Sequence, residues 1–446
     1  MRVPSLLRDR QFAVLFVART TSVLGSAFGP VALTFAVLDM PGATATTLTV
    51  VLTAQTVPQI ALMLFGGVIA DRLPRHLLMT GAESVSALAF AGLAVMFLSG
   101  TASVPLVAAC AAVVGASLAL YYPALTGVVP DVVPAEHLHT ANALLRFGMN
   151  GARLLGLSLA GGMVALVGAG WALATNAAGF VVSALLLLTL RLGHRTRRAA
   201  SVSVVADLRE GWREFAGRRW LWVSVAQFAL VIAAMQAAFG VLGPVVAKAS
   251  MGGAPAWSTV LLGQSAGTLF GVLVALRIRP RRPLLVATPM VFAMALPVLF
   301  LGLGAPLAVV VAGSFVLGVG MTTFGVLFET TMQREIPRAS LSRVASYDAL
   351  GSFMIGPLGL LAAAPLAAGV GARAALLICA AVITVTTACA LLVPDIRRLT
   401  APRTGGAAES RGAEGRAGER PAVVEDRDAR KCPGSGGPAV TATAAP

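Results

Sequence analysis

The sequence predicts an all-α integral membrane protein of twelve transmembrane helices, arranged as two six-helix pseudo-repeats. Composition, the length of the apolar runs and an internal repeat support this fold class. Hydrophobic residues make up 57% of the 446 positions and charged residues 12%, whereas soluble domains average about 45 to 50% and about 25%. A water-soluble core cannot hide that much apolar surface, so we expect the chain to be embedded in lipid.

Twelve apolar runs are long enough to cross a bilayer, because a spanning helix needs about 20 apolar residues. We number them helices 1 to 12, and they cover residues 11–38, 46–70, 77–99, 103–126, 139–168, 171–190, 219–247, 257–276, 284–303, 306–329, 343–370 and 372–393. An open sheet edge in hydrocarbon would leave backbone groups unpaired, so these runs are read as helices.

The basic residues predict the orientation. Almost all of them lie in the N-terminal segment, in the connections 2-3, 6-7, 8-9 and 10-11, and in the tail, whereas the opposite side has Lys248 and Arg373 only. The positive-inside rule therefore places both termini in the cytoplasm, with the protein in the cell inner membrane. The net charge of +15 is spread over the inner loops rather than gathered into one patch, so nucleic-acid binding is not expected.

An arginine-rich segment divides the chain into domains. Residues 191–218 place Leu208, Trp212 and Phe215 on one helical face, which is typical of an amphipathic connector at the inner membrane surface. It separates an N-terminal six-helix bundle, residues 1–190, from a C-terminal bundle, residues 219–397. Residues 398–446 contain mainly Gly, Ala, Pro and mixed charge, so we expect a disordered cytoplasmic tail.

The two halves repeat each other at a spacing of 203 residues. Without a gap, this register aligns the pairs Pro134 and Pro337, Gly148 and Gly351, Gly156 and Gly359, and Gly168 and Gly371. One register therefore holds through a whole helix and both of its ends. Parallel six-helix repeats of this kind predict a substrate site near the midplane between the halves, reached by alternating access.

The connection between helices 2 and 3 concentrates charge in a short stretch. Its residues resemble the loop 2-3 motif of the major facilitator superfamily at Gly67, Asp71, Arg72 and Arg75, whereas the motif's usual glycine and second basic residue are replaced by Pro74 and His76. The resemblance implies a cytoplasmic latch, with Asp71 near the start of helix 11 and Arg343. The alternative is a turn whose charges anchor the edge of the membrane.

Helix 5 carries small residues at every fourth position, namely Gly148, Ala152, Gly156 and Ala160. Such a stripe forms a groove that a neighbouring helix can approach closely. The segment ending at Gly161 also resembles the antiporter signature of helix 5, although Leu157 replaces its proline and Ala160 replaces the first of its paired glycines. The resemblance favours export, and ordinary small-residue packing is the alternative.

Six charged residues lie within the predicted spans, where charge is costly, and they are candidates for ion coupling: Arg19, Glu83, Arg146, Arg153, Glu329 and Asp348. Arg153 lies deepest, ~20 Å from the inner end at about 1.5 Å per residue. It should therefore face the interior and need an anionic partner, for which Asp348 is favoured, with Arg146 as a competing partner for that carboxylate. For Glu83, Glu329 and Arg146, snorkelling or structural pairing near the inner surface is the favoured interpretation, whereas for Arg19, Arg153 and Asp348 both interpretations stay open.

Few other polar groups lie at depth. The candidate cavity-lining residues are Gln55, Gln59, Tyr121, Gln227, Gln236 and Phe324. A sugar site would need a dense array of amide and hydroxyl groups, so this composition favours a hydrophobic or amphipathic substrate.

The chain resembles the major facilitator superfamily over nearly its whole length, and within it the twelve-helix drug-efflux branch of enterobactin-exporter-like and macrolide-efflux-like proteins. Residues 6–40, residues 128–145 and the sequence ARLLG at 152–156 support this resemblance. It implies a secondary transporter that exports drugs, siderophores or secondary metabolites by proton antiport. The chain departs from the branch at Ser26, where many members have an acid, and at residues 112–115, which lack the helix 4 arginine.

Other functional classes lack their usual residues. Neither Lys248 nor Lys431 lies in a phosphate-binding GxxxxGK[ST] loop, and the four histidines are scattered along the chain. We therefore expect no enzyme activity, no metal and no cofactor, with the proton gradient as the driving force. Lipid and a small-molecule substrate are the expected partners of a monomer. An importer or facilitator on the same fold, and a membrane enzyme or channel, are the alternative functions.

Overall fold

The computed structural model describes residues 6–72, 74–134, 137–190, 212–278, 280–337 and 340–400. Within these residues there are no strands, and twelve helices are long and apolar enough to cross a membrane. The prediction of an all-α membrane protein with twelve spans is therefore confirmed. Connector residues 191–211 and the tail from residue 401 lie outside the described part of the chain, so the predictions about them remain predictions.

We label the spanning helices α1 to α12. Three of them are formed by consecutive segments: α1 by Arg10–Ser26 and Phe28–Leu38, α9 by Pro283–Met290 and Phe292–Gly302, and α11 by Leu341–Phe353 and Gly356–Val370. The helix α7 runs from Arg219 to Ser250 and contains a π-helical turn, Gln236–Leu242. The others are α2 Ala45–Arg72, α3 Arg75–Leu98, α4 Val104–Val132, α5 Leu138–Val167, α6 Ala169–Leu188, α8 Ala254–Arg277, α10 Leu307–Glu335 and α12 Ala372–Leu392.

Several helices extend beyond the apolar runs, because a helix can continue past the hydrocarbon once its polar residues reach water. The clearest case is the connection between α2 and α3. The helix α2 continues to Arg72 and α3 starts at Arg75, so the charged motif lies at two helix ends with only two residues between them. Asp71 belongs to the last turn of α2 and not to a loop.

The helices α1 and α7 are both irregular near their midpoints. Pro30 has no backbone N–H to donate to the Ser26 carbonyl, and α1 is interrupted at Ala27. Pro244 likewise leaves the Gly240 carbonyl without its helical donor, and the π-helical turn includes Gly240. Both spans are therefore irregular at the depth where a substrate site is expected, and π-helical turns often mark functional sites.

The same packing pattern occurs in both halves of the chain. In the first half α2 packs on α4, α3 packs on α4 and α6, and α1 packs on α5 and α6. In the second half α8 packs on α10, α9 packs on α10 and α12, and α7 packs on α11 and α12. Contacts between the halves join α5 with α8 and α2 with the second segment of α11, and α7 also meets α1 and α2.

Glycine contacts give the register of this pseudo-symmetry. A Cβ added at Gly115 would overlap the carbonyl oxygen of Gln55, and one added at Gly318 would overlap that of Gln264. The glycines are 203 residues apart and the glutamines 209 apart. Gly168 and its counterpart Gly371, which follow α5 and α11, have φ angles of 94° and 84°.

The end of the connector packs against the C-terminal half. Residues 212–216 are helical, and the rings of Trp212 and Phe215 lie 5.6 and 6.0 Å from the ring of Tyr347 at the start of α11. Arg218 pairs with Glu214 and also donates to the Glu335 carbonyl at 3.2 Å. The hydrogen bond from Arg218 and its charge lower the pKa of the Glu214 carboxyl.

Candidate substrate cavity and charge cluster

A cavity of about 580 Å³ lies between the helices, within the usual size range of ligand sites. Helices α1 to α6 line it from the first half, and only α7 and α8 do so from the second. Its aromatic lining residues are Phe90, Tyr121, Phe180, Phe239 and Trp257, and its charged or amide residues are Arg19, Gln55, Glu83, Asn150, Arg153, Asn176 and Gln264. The charged lining residues therefore all come from the first half.

Arg19, in the middle of α1, is buried among side chains of α4 and α5. Its guanidinium donates to the Tyr121 hydroxyl, and its Cζ lies 5.2 Å from the centroid of the Tyr121 ring. The other terminal nitrogen lies 3.4 Å from the Met149 sulfur. Arg19 is only 5% exposed, so these contacts replace the hydration that its charge would have in water.

Glu83 of α3 lies beside this arginine and is only 2% exposed. The hydroxyls of Ser183, Ser22 and Tyr121 are its polar neighbours, and it interacts with the charge of Arg19. Among the described residues, however, neither carboxylate oxygen makes a hydrogen bond of regular geometry. The carboxylate is therefore buried without the hydrogen bonds that it could accept, and adding or removing a proton would change its interactions strongly.

These three side chains lie at a similar depth. At about 1.5 Å per residue, Arg19 lies ~14 Å, Glu83 ~12 Å and Tyr121 ~17 Å from the helix ends on the side of the membrane where α1 begins. We call this side the termini face and the other side the loop 1-2 face. We refer to Arg19, Glu83 and Tyr121 as the charge cluster.

Arg153 also lines the cavity, as expected for a charge facing the interior. It lies halfway along α5, ~22 Å from the start of that helix. Arg153 makes no ion pair with any described carboxylate, and the predicted pair with Asp348 is not formed in this structure. Arg153 is an exposed residue of the cavity lining.

Asn176 of α6 presents a buried amide to the same cavity. It is 1% exposed, and among the described residues neither its amide nitrogen nor its oxygen has a hydrogen-bond partner. Gly29 of α1 lies against it, since a Cβ there would be 2.6 Å from the amide nitrogen. A buried amide needs a partner, which water or a ligand in the cavity can supply.

The predicted lining is only partly correct. Gln55 and Tyr121 line the cavity, but Gln59, Gln227, Gln236 and Phe324 do not. Gln227 is buried and donates to the Thr387 hydroxyl at 3.1 Å, so its amide is used within the second half. Phe324 stacks on Phe228, with their ring centroids 5.0 Å apart.

The remaining predicted charges lie outside the lining. Arg146 and Glu329 are exposed, and Gln333 donates to Glu329 at 3.3 Å. Asp348 is half-buried and makes no hydrogen bond or ion pair with a described residue. The side chains of Asp71, Arg72, Arg75 and Arg343 lie outside the described part of the chain, so the latch remains a prediction.

The small-residue stripe of α5 contacts α1. A Cβ at Gly148 would lie 2.6 Å from the Phe16 ring, and one at Gly156 would lie 2.6 Å from both the Ala27 Cβ and the Leu24 carbonyl. Gly161 faces the other half of the molecule instead, because its Cβ would lie 2.5 Å from the Ser258 hydroxyl of α8. The helix 5 motif thus provides both the contact with α1 and a close approach between the halves.

An ion pair also joins the two halves at the loop 1-2 face. Lys248 at the end of α7 lies 2.7 Å from the Asp39 carboxylate after α1, and it donates to the Leu38 carbonyl. Asp39 is the only acidic residue in the connections at this face, and Lys248 and Arg373 are its only cations. Together with the close approach of Gly161 to Ser258, this ion pair places contacts between the halves on this side of the cavity.

The sequence did not predict Asn176, Phe239 or Trp257 as lining residues, and it did not predict that Gln264 is the pseudo-symmetric counterpart of Gln55. The second register, 209 residues, would have matched Gln264 to Gln55. Among the described residues, no group of three His, Cys, Asp or Glu side chains is placed to hold a metal ion.

Comparisons with known proteins agree with this fold. The Major Facilitator Superfamily model matches residues 12–358. The uncharacterized MFS-type transporter YkuC of Bacillus subtilis (strain 168) is 25% identical over 360 residues, covering 76% of this chain and 81% of YkuC. Twelve helices in two repeats around a central cavity define a membrane transporter. The chain belongs to the major facilitator superfamily.

Solved structures show the same fold at low identity. A mutant of the nucleoside transporter NupG has a TM-score of 0.72 at 12% identity, covering 86% of this chain and all of NupG. A POT family transporter in complex with 5-aminolevulinic acid has a TM-score of 0.69 at 13% identity, covering 87% of this chain and 97% of that one. An inward-facing bacterial homolog of the lysosomal transporter Spinster has a TM-score of 0.61 at 14% identity, covering 87% and 98%.

Proposed function

We propose that this transporter is a secondary active exporter of hydrophobic or amphipathic small molecules, driven by proton antiport. It would work as a monomer in the cell inner membrane, with both termini in the cytoplasm. The observation that carries the proposal is the cavity between the pseudo-symmetric halves, in which Glu83, the one acid among the described lining residues, is buried near Arg19. The basic inner connections support the orientation.

Glu83 is a stronger candidate for the coupling acid than Asp348. It combines burial, a neighbouring cation and a place in the cavity wall, whereas Asp348 lies outside the lining. Protonation would remove the attraction between Glu83 and Arg19 and free the guanidinium and the Tyr121 hydroxyl to change partners. Uptake of a proton from one side and its release to the other would then couple the gradient to alternating access.

The experiment is dye accumulation in inside-out vesicles from a host without its own efflux pumps. With an acidic interior the wild type should accumulate the dye, and a protonophore should abolish the accumulation. Glu83→Gln should reduce uphill transport at least about tenfold, as expected for loss of a positioned proton carrier, but retain substrate exchange down its own gradient.

Asp348→Asn is the matched control and should keep proton-driven uptake. Uphill pumping by Glu83→Gln would show that the coupling acid lies elsewhere. Accumulation that ignores protonophores would rule out the antiport.

An importer or facilitator is the second candidate, supported by the likeness in fold to the nucleoside transporter NupG and the POT family transporter. Proton-driven accumulation in right-side-out vesicles only would identify an importer, and equilibration of the substrate without accumulation would identify a facilitator.

A further inference from the structure

We infer that the substrate is an organic anion with an aromatic body, and that Arg153 binds its anionic group. This inference rests on the proposed function, because it assigns a substrate class to the same cavity.

The cavity wall carries more positive than negative charge. Two guanidiniums, Arg19 and Arg153, and one carboxylate, Glu83, line it. Arg19 is already held by Tyr121, Met149 and the charge of Glu83. With Glu83 ionised, the described lining residues therefore carry one positive charge in excess, and Arg153 is the arginine among them that no described side chain holds.

An unpaired Arg153 is energetically costly at this depth. An arginine at the middle of a bilayer is expensive unless it pairs, and its side chain reaches only ~6 to 7 Å, too short to reach either surface from ~22 Å of depth. No described residue supplies the partner. A carboxylate, sulfonate or phosphate on the substrate would supply it through a charge-assisted, two-point hydrogen bond.

The rest of the cavity wall offers aromatic rings and a buried amide. On the second half, the rings of Phe239 and Trp257 lie 5.4 Å apart and both border the cavity, which offers an aromatic surface to the substrate body. The unsatisfied amide of Asn176 lies ~10 Å from Arg153 along the membrane normal. This separation is estimated from the distances of the two residues to the end of α5 and the start of α6, which meet at Gly168. It can receive a second polar group at the far end of the molecule.

Two dyes that differ in one anionic group test the inference. 1-Anilinonaphthalene-8-sulfonate carries a sulfonate, and N-phenyl-1-naphthylamine has the same rings without it. Binding is measured on the purified full-length protein in detergent by energy transfer from tryptophan to the dye. Trp257→Phe identifies the part of the signal that comes from the cavity.

Arg153→Gln should weaken sulfonate binding about tenfold or more relative to the neutral dye, the loss expected for one charge-assisted contact. Retained binding of the neutral dye shows that the variant is folded. Arg153→Lys should keep most of the preference. Arg146→Gln removes an arginine two turns away on the same helix, outside the lining, and should change neither affinity.

An unchanged ratio of the two affinities in Arg153→Gln, or the same loss in Arg146→Gln, would overturn the inference. Because binding is measured without a gradient, its failure is separable from failure of the proposed function. A protein that selects the sulfonate but does not pump would refute only the exporter. A protein that pumps the neutral dye with no preference for charge would refute only the anion site.

Discussion

At the scale of single residues, the two halves differ most where the first half is charged. The pseudo-symmetric counterparts of Arg19 and Tyr121, at 209 and 203 residues, are Phe228 and Phe324, which stack with their rings 8° from parallel. The second half thus fills the same position with an apolar pair. Because burying charged groups is costly unless they are fully paired and hydrogen-bonded, the charge cluster is better explained by transport than by stability.

Removing Arg19 alone should destabilise the protein. In Arg19→Met the Glu83 carboxylate stays buried without the neighbouring charge of Arg19, and the Tyr121 hydroxyl loses the donor that Arg19 supplies, which costs about 1 to 3 kcal/mol. The midpoint of thermal unfolding in detergent should fall clearly, and the double variant Arg19→Met with Glu83→Leu should recover most of the loss. Equal midpoints for Arg19→Met and the wild type would show that the two groups are not coupled.

For the helices, the sequence correctly predicted that there are twelve spans and in which order they follow one another. The apolar runs and the positions of the glycines carry that information, since both reflect local requirements of a helix in lipid. The partner of each helix depends on contacts far apart in sequence, so the stripe of Gly148 and Gly156 was recognised without its partner α1. The direction of each side chain could not be predicted either. Gln227 and Phe324 were predicted to line the cavity, but they contact Thr387 and Phe228 within the second half.

A single added methyl group in the small-residue stripe of α5 should destabilise the protein. Gly156→Ala places a methyl group against the Leu24 carbonyl and Ala27, and overpacking of this kind costs about 1 to 3 kcal/mol. The yield of folded protein and its thermal midpoint should both decrease. Gly151→Ala is the matched control on α5, because its added Cβ has no atom within 4 Å. Equal stability of the two variants would contradict close packing of α1 on α5.

For the molecule as a whole, two described contacts between the halves lie near the loop 1-2 face. The pair of Asp39 and Lys248 links the ends of α1 and α7, and Gly161 lets α5 approach α8. Alternating access requires these contacts to separate, so they belong to one of the two states only. The pair should therefore stabilise the conformation in which this face is closed.

Breaking the pair should shift the population towards opening at that face. The Lys248 and Asp39 side chains are 39% and 61% exposed, so the pair is worth at most about 1 kcal/mol and the shift should not exceed about fivefold. Distances between spin labels at positions 44 and 250 would measure it in Lys248→Met. Exchanging the two charges, Asp39→Lys with Lys248→Asp, should restore the wild-type distribution, and no shift in the single variant would exclude this role.

The exposure of this ion pair has a consequence for the surroundings of the cell. Charges in contact with solution are screened over about 8 Å at physiological ionic strength and over about 3 Å at 1 M salt. With the termini in the cytoplasm, Asp39 and Lys248 would be bathed by the external medium, whereas the charge cluster is buried and shielded from it. Higher external salt would then weaken the closure of the loop 1-2 face and leave the charge cluster unchanged, so the balance between the two conformations would depend on the salt concentration outside the cell.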